Sequence, residues 1–138
     1  MPEPIVFISH FRVKKDKLDG LRHLSREATE LLEADKPRTL AFLAYLNEHG
    51  SRVTIVHVFA DADSMDLHVQ GSEERTRAAY EFVEPEGFEI EIYGTPSDRV
   101  LEMMRQEATS GGKLSVQSEL LGGFLRLKSG SSPSASDR

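Results

Sequence analysis

The chain has 138 residues, enough for one domain with one core. Its 17 lysines and arginines against 23 acids leave a net charge of −6, which gives no electrostatic motive for holding a nucleic-acid backbone. It has no cysteine, which excludes a disulfide framework, a thiolate nucleophile and thiolate metal ligands, and suits a cytoplasmic setting.

The opening M-P-E-P-I-V-F-I-S-H has no basic leader and only a short apolar run, so neither a signal peptide nor a membrane span is expected there. Ile5 to Val13 reads as a strand, apolar on both parities, with Ser9 and His10 near its middle. Asp16 is the expected N-cap of a helix to about Ala34. Leu18, Leu21, Leu24, Ala28, Leu31 and Leu32 form its apolar stripe, and Pro37 stops it. Thr39 to Leu46 is a second strand, again apolar on both faces. Asn47 to Ser51, with Gly50, makes a hairpin loop into a third, Val53 to Phe59.

Asp61 or Asp63 then starts a helix that places Met65, His68 and Val69 on one face. Gly71 interrupts it, and Ser72 is expected to recap a segment whose Ala78, Ala79, Phe82 and Val83 point inward, ended by Pro85. Phe88 to Tyr93 alternates cleanly, as an edge strand with one buried face would. Thr95-Pro96-Ser97-Asp98, with Thr95 as the expected cap and Pro96 at the first helical position, starts a further helix carrying Val100, Leu101, Met104 and Ala108, closed by Ser110, Gly111 and Gly112. Leu114 to Ser118 and Phe124 to Leu127 are candidate short strands. Residues 128–138 have nothing to bury and read as a disordered tail after a single domain over 1–127.

The order predicts an α+β, ferredoxin-like β-α-β-β-α-β fold with a four-stranded antiparallel sheet, plus a C-terminal helix and short strand extension. Two helices cover one sheet face. The other would expose an apolar patch that soluble monomers rarely tolerate, so a homodimer packed sheet to sheet is expected. Arg12 would face that interface and need an acid, with Glu89 and Glu91 as candidates.

The stretch I-V-H-V-F-A-D-A-D-S-M-D-L-H, with the opening I-S-H-F-R-V-K-K-D-K-L-D, resembles the antibiotic biosynthesis monooxygenase-like proteins of the dimeric α/β-barrel superfamily. The ending L-L-G-G-F-L-R-L, Leu120 to Leu127, is similar to a tail of one subgroup. The resemblance implies a pocket between sheet and helices in each protomer. Some members oxidise aromatic polyketides without metal or flavin, some degrade haem, and others only bind small molecules. Haem degraders place an asparagine, a tryptophan and a further histidine where this chain has Ser9, His68 and Ala78, so haem chemistry is not expected.

The resulting expectation is a cofactor-independent monooxygenase-like protein binding a small aromatic or polyketide-like molecule. His68 is the catalytic candidate, as general base or hydrogen-bond donor. Ser9, Phe7, Phe59, Met65 and Tyr80 are the candidate ligand contacts. His57 reads as a core residue, and Tyr45 and Tyr93 are alternatives to Tyr80. No metal ligand set, cofactor, nucleic acid or membrane partner is expected: the histidines lack ligand spacing, and there is no glycine-rich phosphate loop. The alternative is a non-catalytic ligand-binding or structural homodimer, since each candidate also has a packing role. RNA binding by the same topology would need an aromatic pair on the third strand, which R-V-T-I-V-H-V-F lacks.

Overall fold

The computed structural model describes residues 3–126, so the expected disordered tail lies outside the described residues. In chain order it holds β1 (Ile5–Arg12), α1 (Leu18–Asp35), β2 (Thr39–Leu46), β3 (Arg52–Phe59), α2 (Ala62–Val69), α3 (Glu73–Ala79), β4 (Glu89–Tyr93), α4 (Asp98–Ala108) and β5 (Lys113–Gln117). The sheet order is β2-β3-β1-β4-β5. The first four strands pair antiparallel, and β5 lies parallel to β4.

The expected β-α-β-β-α-β frame is therefore present, with one strand added. β4 is not an edge. The helix α4 returns the chain to the same end of the sheet, and Leu114 and Val116 register beside Ile90 and Ile92. The alternation of β4 reflects instead the polar lip of the open face, where Glu89 and Glu91 have partners. Phe124 forms no strand; residues 118–126 carry neither helix nor strand, and Leu121 and Phe124 are exposed.

Odd positions of β1 and β3 face the helices. Ile5, Phe7, Phe59, Met65, Ile90, Ile92, Val100 and Met104 make the main core, and Leu21, Val53 and Val83 a second, smaller one. Val100 and Met104 place α4 on this same face, so α4 does not cover the other one. The opposite face carries Val6, Ile8, Leu43, Tyr45, Val56 and Val58, and no described element packs over it. Leu43 is 45% and Tyr45 59% exposed. Its polar border is paired internally. His10 Nδ1 lies 2.9 Å from Thr54 Oγ1 and its Nε2 3.4 Å from Glu91, and Arg52 reaches Glu89 at 3.3 Å. The acids expected for Arg12 are thus taken by His10 and Arg52. Arg12 is exposed and donates to the Glu86 carbonyl at 3.3 Å.

Local caps depart from the sequence reading in four places. Asp16 sits at φ 64 and caps nothing; Lys17 holds the cap position of α1, without a side-chain bond. Ser72 does precede α3, but in helical geometry and without a capping bond. α3 ends at Ala79 instead of running on to Val83, because Val83 is drawn into a bridge with Val13. Ser97, not Thr95, caps α4. Its Oγ accepts from Val100 N at 3.2 Å and donates to Asp66 at 2.7 Å, tying α4 to α2.

Candidate functional site

Asp61 sets the position of α2. Its carboxylate accepts from the Ser64 backbone N at 2.8 Å and the Ser64 hydroxyl at 2.6 Å, which holds it below the usual carboxylate range; Arg38 adds to this at 3.2 Å. From that cap, residues one and two turns on point at the sheet. Met65 and Val69 are buried, and His68, only 5% exposed, arrives over β3. Its ring meets His57 edge-on, with centroids 4.8 Å apart, and packs on Phe59 at 5.2 Å.

A cavity of about 590 Å³ opens between this point and α1. Its floor is the helix-facing side of the sheet, including Phe7, Ser9, Phe42 and His57. Its walls come from α1 through Leu24 and Ala28, from α2 and α3 through His68, Arg75 and Tyr80, and from α4 through Glu107. α1 stays off the sheet here: Leu31, expected inside, is 51% exposed and only borders the space. The wall is mostly apolar, with few polar groups, as small-molecule sites are.

The two imidazoles are held differently. His57 Nδ1 lies 3.4 Å from the Phe7 carbonyl. A carbonyl only accepts, so this nitrogen carries the proton and Nε2 is left as a lone pair. Phe7 stacks on the same ring, with centroids 4.8 Å apart. His68 Nδ1 lies 2.8 Å from the Thr39 hydroxyl, which can donate or accept, so His68 can present Nε2 as either donor or acceptor. A bulge in β2 between Thr39 and Ala41 makes this contact, turning Thr39 toward the helices and Leu40 outward. Ser9, 5% exposed, forms no side-chain hydrogen bond among the described residues, and neither Nε2 has a protein partner there.

Both rings are neutral near pH 7. Burial pushes His57 down to about 4, against a smaller raising effect of its bond to Phe7. Burial, then the His57 ring, Arg75 and Lys36, push His68 down to about 3. Lys36 and Arg75 both cap the end of α2. Lys36 donates to the Leu67 and Gln70 carbonyls, and Arg75 to the His68 carbonyl at 3.1 Å. At the α4 side, burial raises Glu107, and burial and Glu107 together raise Tyr80.

Of the residues singled out from sequence, Ser9, Phe7, Tyr80 and His68 line the cavity. Phe59 and Met65 do not: both are fully buried behind His68, as support for its ring. Tyr45 and Tyr93 lie on the open face. Sequence reasoning missed His57, Thr39, Arg75 and Glu107 as site residues. His57 was findable, since it shares the parity of Phe59, which leads directly into α2. Thr39 was not, because its orientation depends on the bulge. Among the described residues no three potential ligands cluster to hold a metal ion, and no helix is long and apolar enough to cross a membrane.

No family model matches the sequence, and no curated protein aligns with it significantly. Solved structures do match. MupZ from Pseudomonas fluorescens superposes with a TM-score of 0.62 at 16% identity, over 90% of this chain and 95% of that one. A candidate antibiotic biosynthesis monooxygenase from Bacteroides thetaiotaomicron gives 0.55 at 18% identity, over 64% and 85% of the chains. Another from Nitrosomonas europaea gives 0.57 at 16%, over 69% and 92%. With its sheet, its helices on one face and these matches, the chain has the ferredoxin-like α+β fold of the antibiotic biosynthesis monooxygenase-like proteins.

Proposed function

We propose that this protein binds a small polycyclic aromatic molecule in the cavity and oxidises it with dioxygen, without a metal or organic cofactor. The observation that carries this is a largely apolar cavity lined by three buried polar residues, Ser9, His57 and His68, whose hydroxyl and Nε2 atoms have no protein partner among the described residues. Leaving such groups unpaired costs about 1–3 kcal/mol each, which a ligand's oxygens would recover. The names of the similar structures support the reaction class.

In this reading His57 Nε2, fixed as a lone pair, takes a proton from an activated ring methylene. His68 Nε2–H donates to the enolate oxygen that forms, and Ser9 orients the ring system. The carbanion carbon bonds to dioxygen, and the resulting peroxide anion recovers the proton from His57. Loss of water from that hydroperoxide leaves a new ring carbonyl. One oxygen atom enters the product, the other leaves as water, and the ring carbon supplies the electrons. His57 is a weak base in the empty site, but the enolate formed beside it stabilises its imidazolium.

The test uses dithranol, a dihydroxylated tricyclic aromatic ketone. The protein should accelerate its oxygen uptake and quinone formation well above the spontaneous rate, equally in the presence of a strong metal chelator. No acceleration, with dithranol shown to bind, would favour the non-catalytic binding protein.

We also infer a homodimer through the open face, because Val6, Ile8, Leu43, Tyr45, Val56 and Val58 form a contiguous apolar surface there. Leu43→Glu and Val58→Arg together should convert a dimer to a monomer in light scattering. A wild-type monomer at micromolar concentration would overturn it.

A further inference from the structure

The chemistry of the cavity's ligand can be narrowed from Arg75. This side chain stands on α3 and lines the cavity. One of its five donors is used, on the His68 carbonyl at 3.1 Å. Among the described residues no carboxylate lies within ion-pair distance of its guanidinium, and the acids that do form pairs belong to other residues. The cap at the end of α2 does not need a second cation, because Lys36 already serves two of its carbonyls. Glu107 also lines the cavity, but it forms no ion pair with Arg75. Glu27 and Glu74 also border the cavity, but from its exposed rim, and Glu27 is paired with His23, so Arg75 and Glu107 are its half-buried charged groups. A half-buried guanidinium facing an apolar space with most donors idle is the arrangement that recognises a planar or tetrahedral oxyanion.

We propose that the cavity selects anionic aromatic ligands, with a carboxylate-class acidic substituent held by Arg75 and the ring system running across Ser9 and the two imidazoles. This rests on the ligand-binding part of the function proposed above and adds the charge class of the substrate. The anion neutralises Arg75 and replaces the missing carboxylate partner.

Two fluorescent probes with one ring skeleton separate charge from shape: 8-anilinonaphthalene-1-sulfonate and its neutral parent, N-phenyl-1-naphthylamine. The wild-type protein should bind the sulfonate at least about tenfold more tightly, as one charge-assisted pair implies. Arg75→Gln should remove that preference while leaving the neutral probe's affinity unchanged, and Arg75→Lys should keep part of it. Ala28→Trp, which fills the cavity from α1, should abolish binding of both. Equal wild-type affinities would overturn the anion preference and leave the cavity reading standing. Survival of the preference in Arg75→Gln or in Ala28→Trp would overturn it by placing the sulfonate elsewhere. Failure of both probes to bind wild-type protein would overturn it together with the cavity reading.

Discussion

Lowering the pH from 7.5 to 5 should remove about 4 kcal/mol of folding stability through His57 and His68 alone, a large share of a domain's usual total. In the unfolded chain both rings titrate near their ordinary 6.5; in the folded chain they stay neutral until about 4 and about 3. Between these limits the unfolded state binds more protons, so stability rises with pH. It is complete above the unfolded value and drains away as pH falls through 6.5. Each ring contributes up to about 1.4 kcal/mol per pH unit in that window. Urea unfolding at several pH values measures the slope. His57→Phe, which keeps the stack on Phe7 and the edge contact with Phe42, should remove about half of it. A slope unchanged by that substitution would mean that the His57 ring titrates in the folded protein as it does in water.

Substituting either imidazole should cost more activity than any other single change in the cavity. His57→Gln should lower kcat on dithranol by about 10²–10⁴-fold, the usual range for a lost general base. His68→Ala should lower it by about 10²–10³-fold, the usual range for a lost oxyanion donor. KM should change little in His57→Gln, because the amide still offers an acceptor. Thr39→Val should produce a milder loss, by freeing the His68 ring. The pH profile of kcat/KM should lack a break near 6.5, since neither ring takes up a proton there in the free protein. A profile breaking at 6.5 would assign the base to an exposed histidine and remove both rings from the mechanism.

Most of the frame was legible in the sequence because it depends on near neighbours. Continuous apolar and β-branched runs marked β1, β2 and β3, the Asn47–Ser51 loop marked a hairpin, and Asp61 or Asp63 marked the start of α2. The added strand β5 was read as a short strand, but its parallel pairing with β4 was not, since parallel partners are set by a crossover and not by local pattern. The same limit applied to the site. His68 stood out because the helix period carries it to the sheet. His57 looked like core until Phe7, Phe42 and His68 were seen around it. Thr39 needed the bulge, and Arg75 needed the knowledge that α1 leaves a gap opposite α3. Phe59 and Met65 were overread: their anchoring positions are real, but the surface they cover is the back of His68.

The most direct test is a crystal structure of the protein grown with dithranol under anaerobic conditions, where the ligand survives. The account predicts a tricyclic ligand between Phe7, Phe42 and α1, with one oxygen within about 3.2 Å of His68 Nε2 and the ring methylene facing His57 Nε2. A cavity closed by its own side chains, with the ligand absent or lying on the open sheet face, would contradict it.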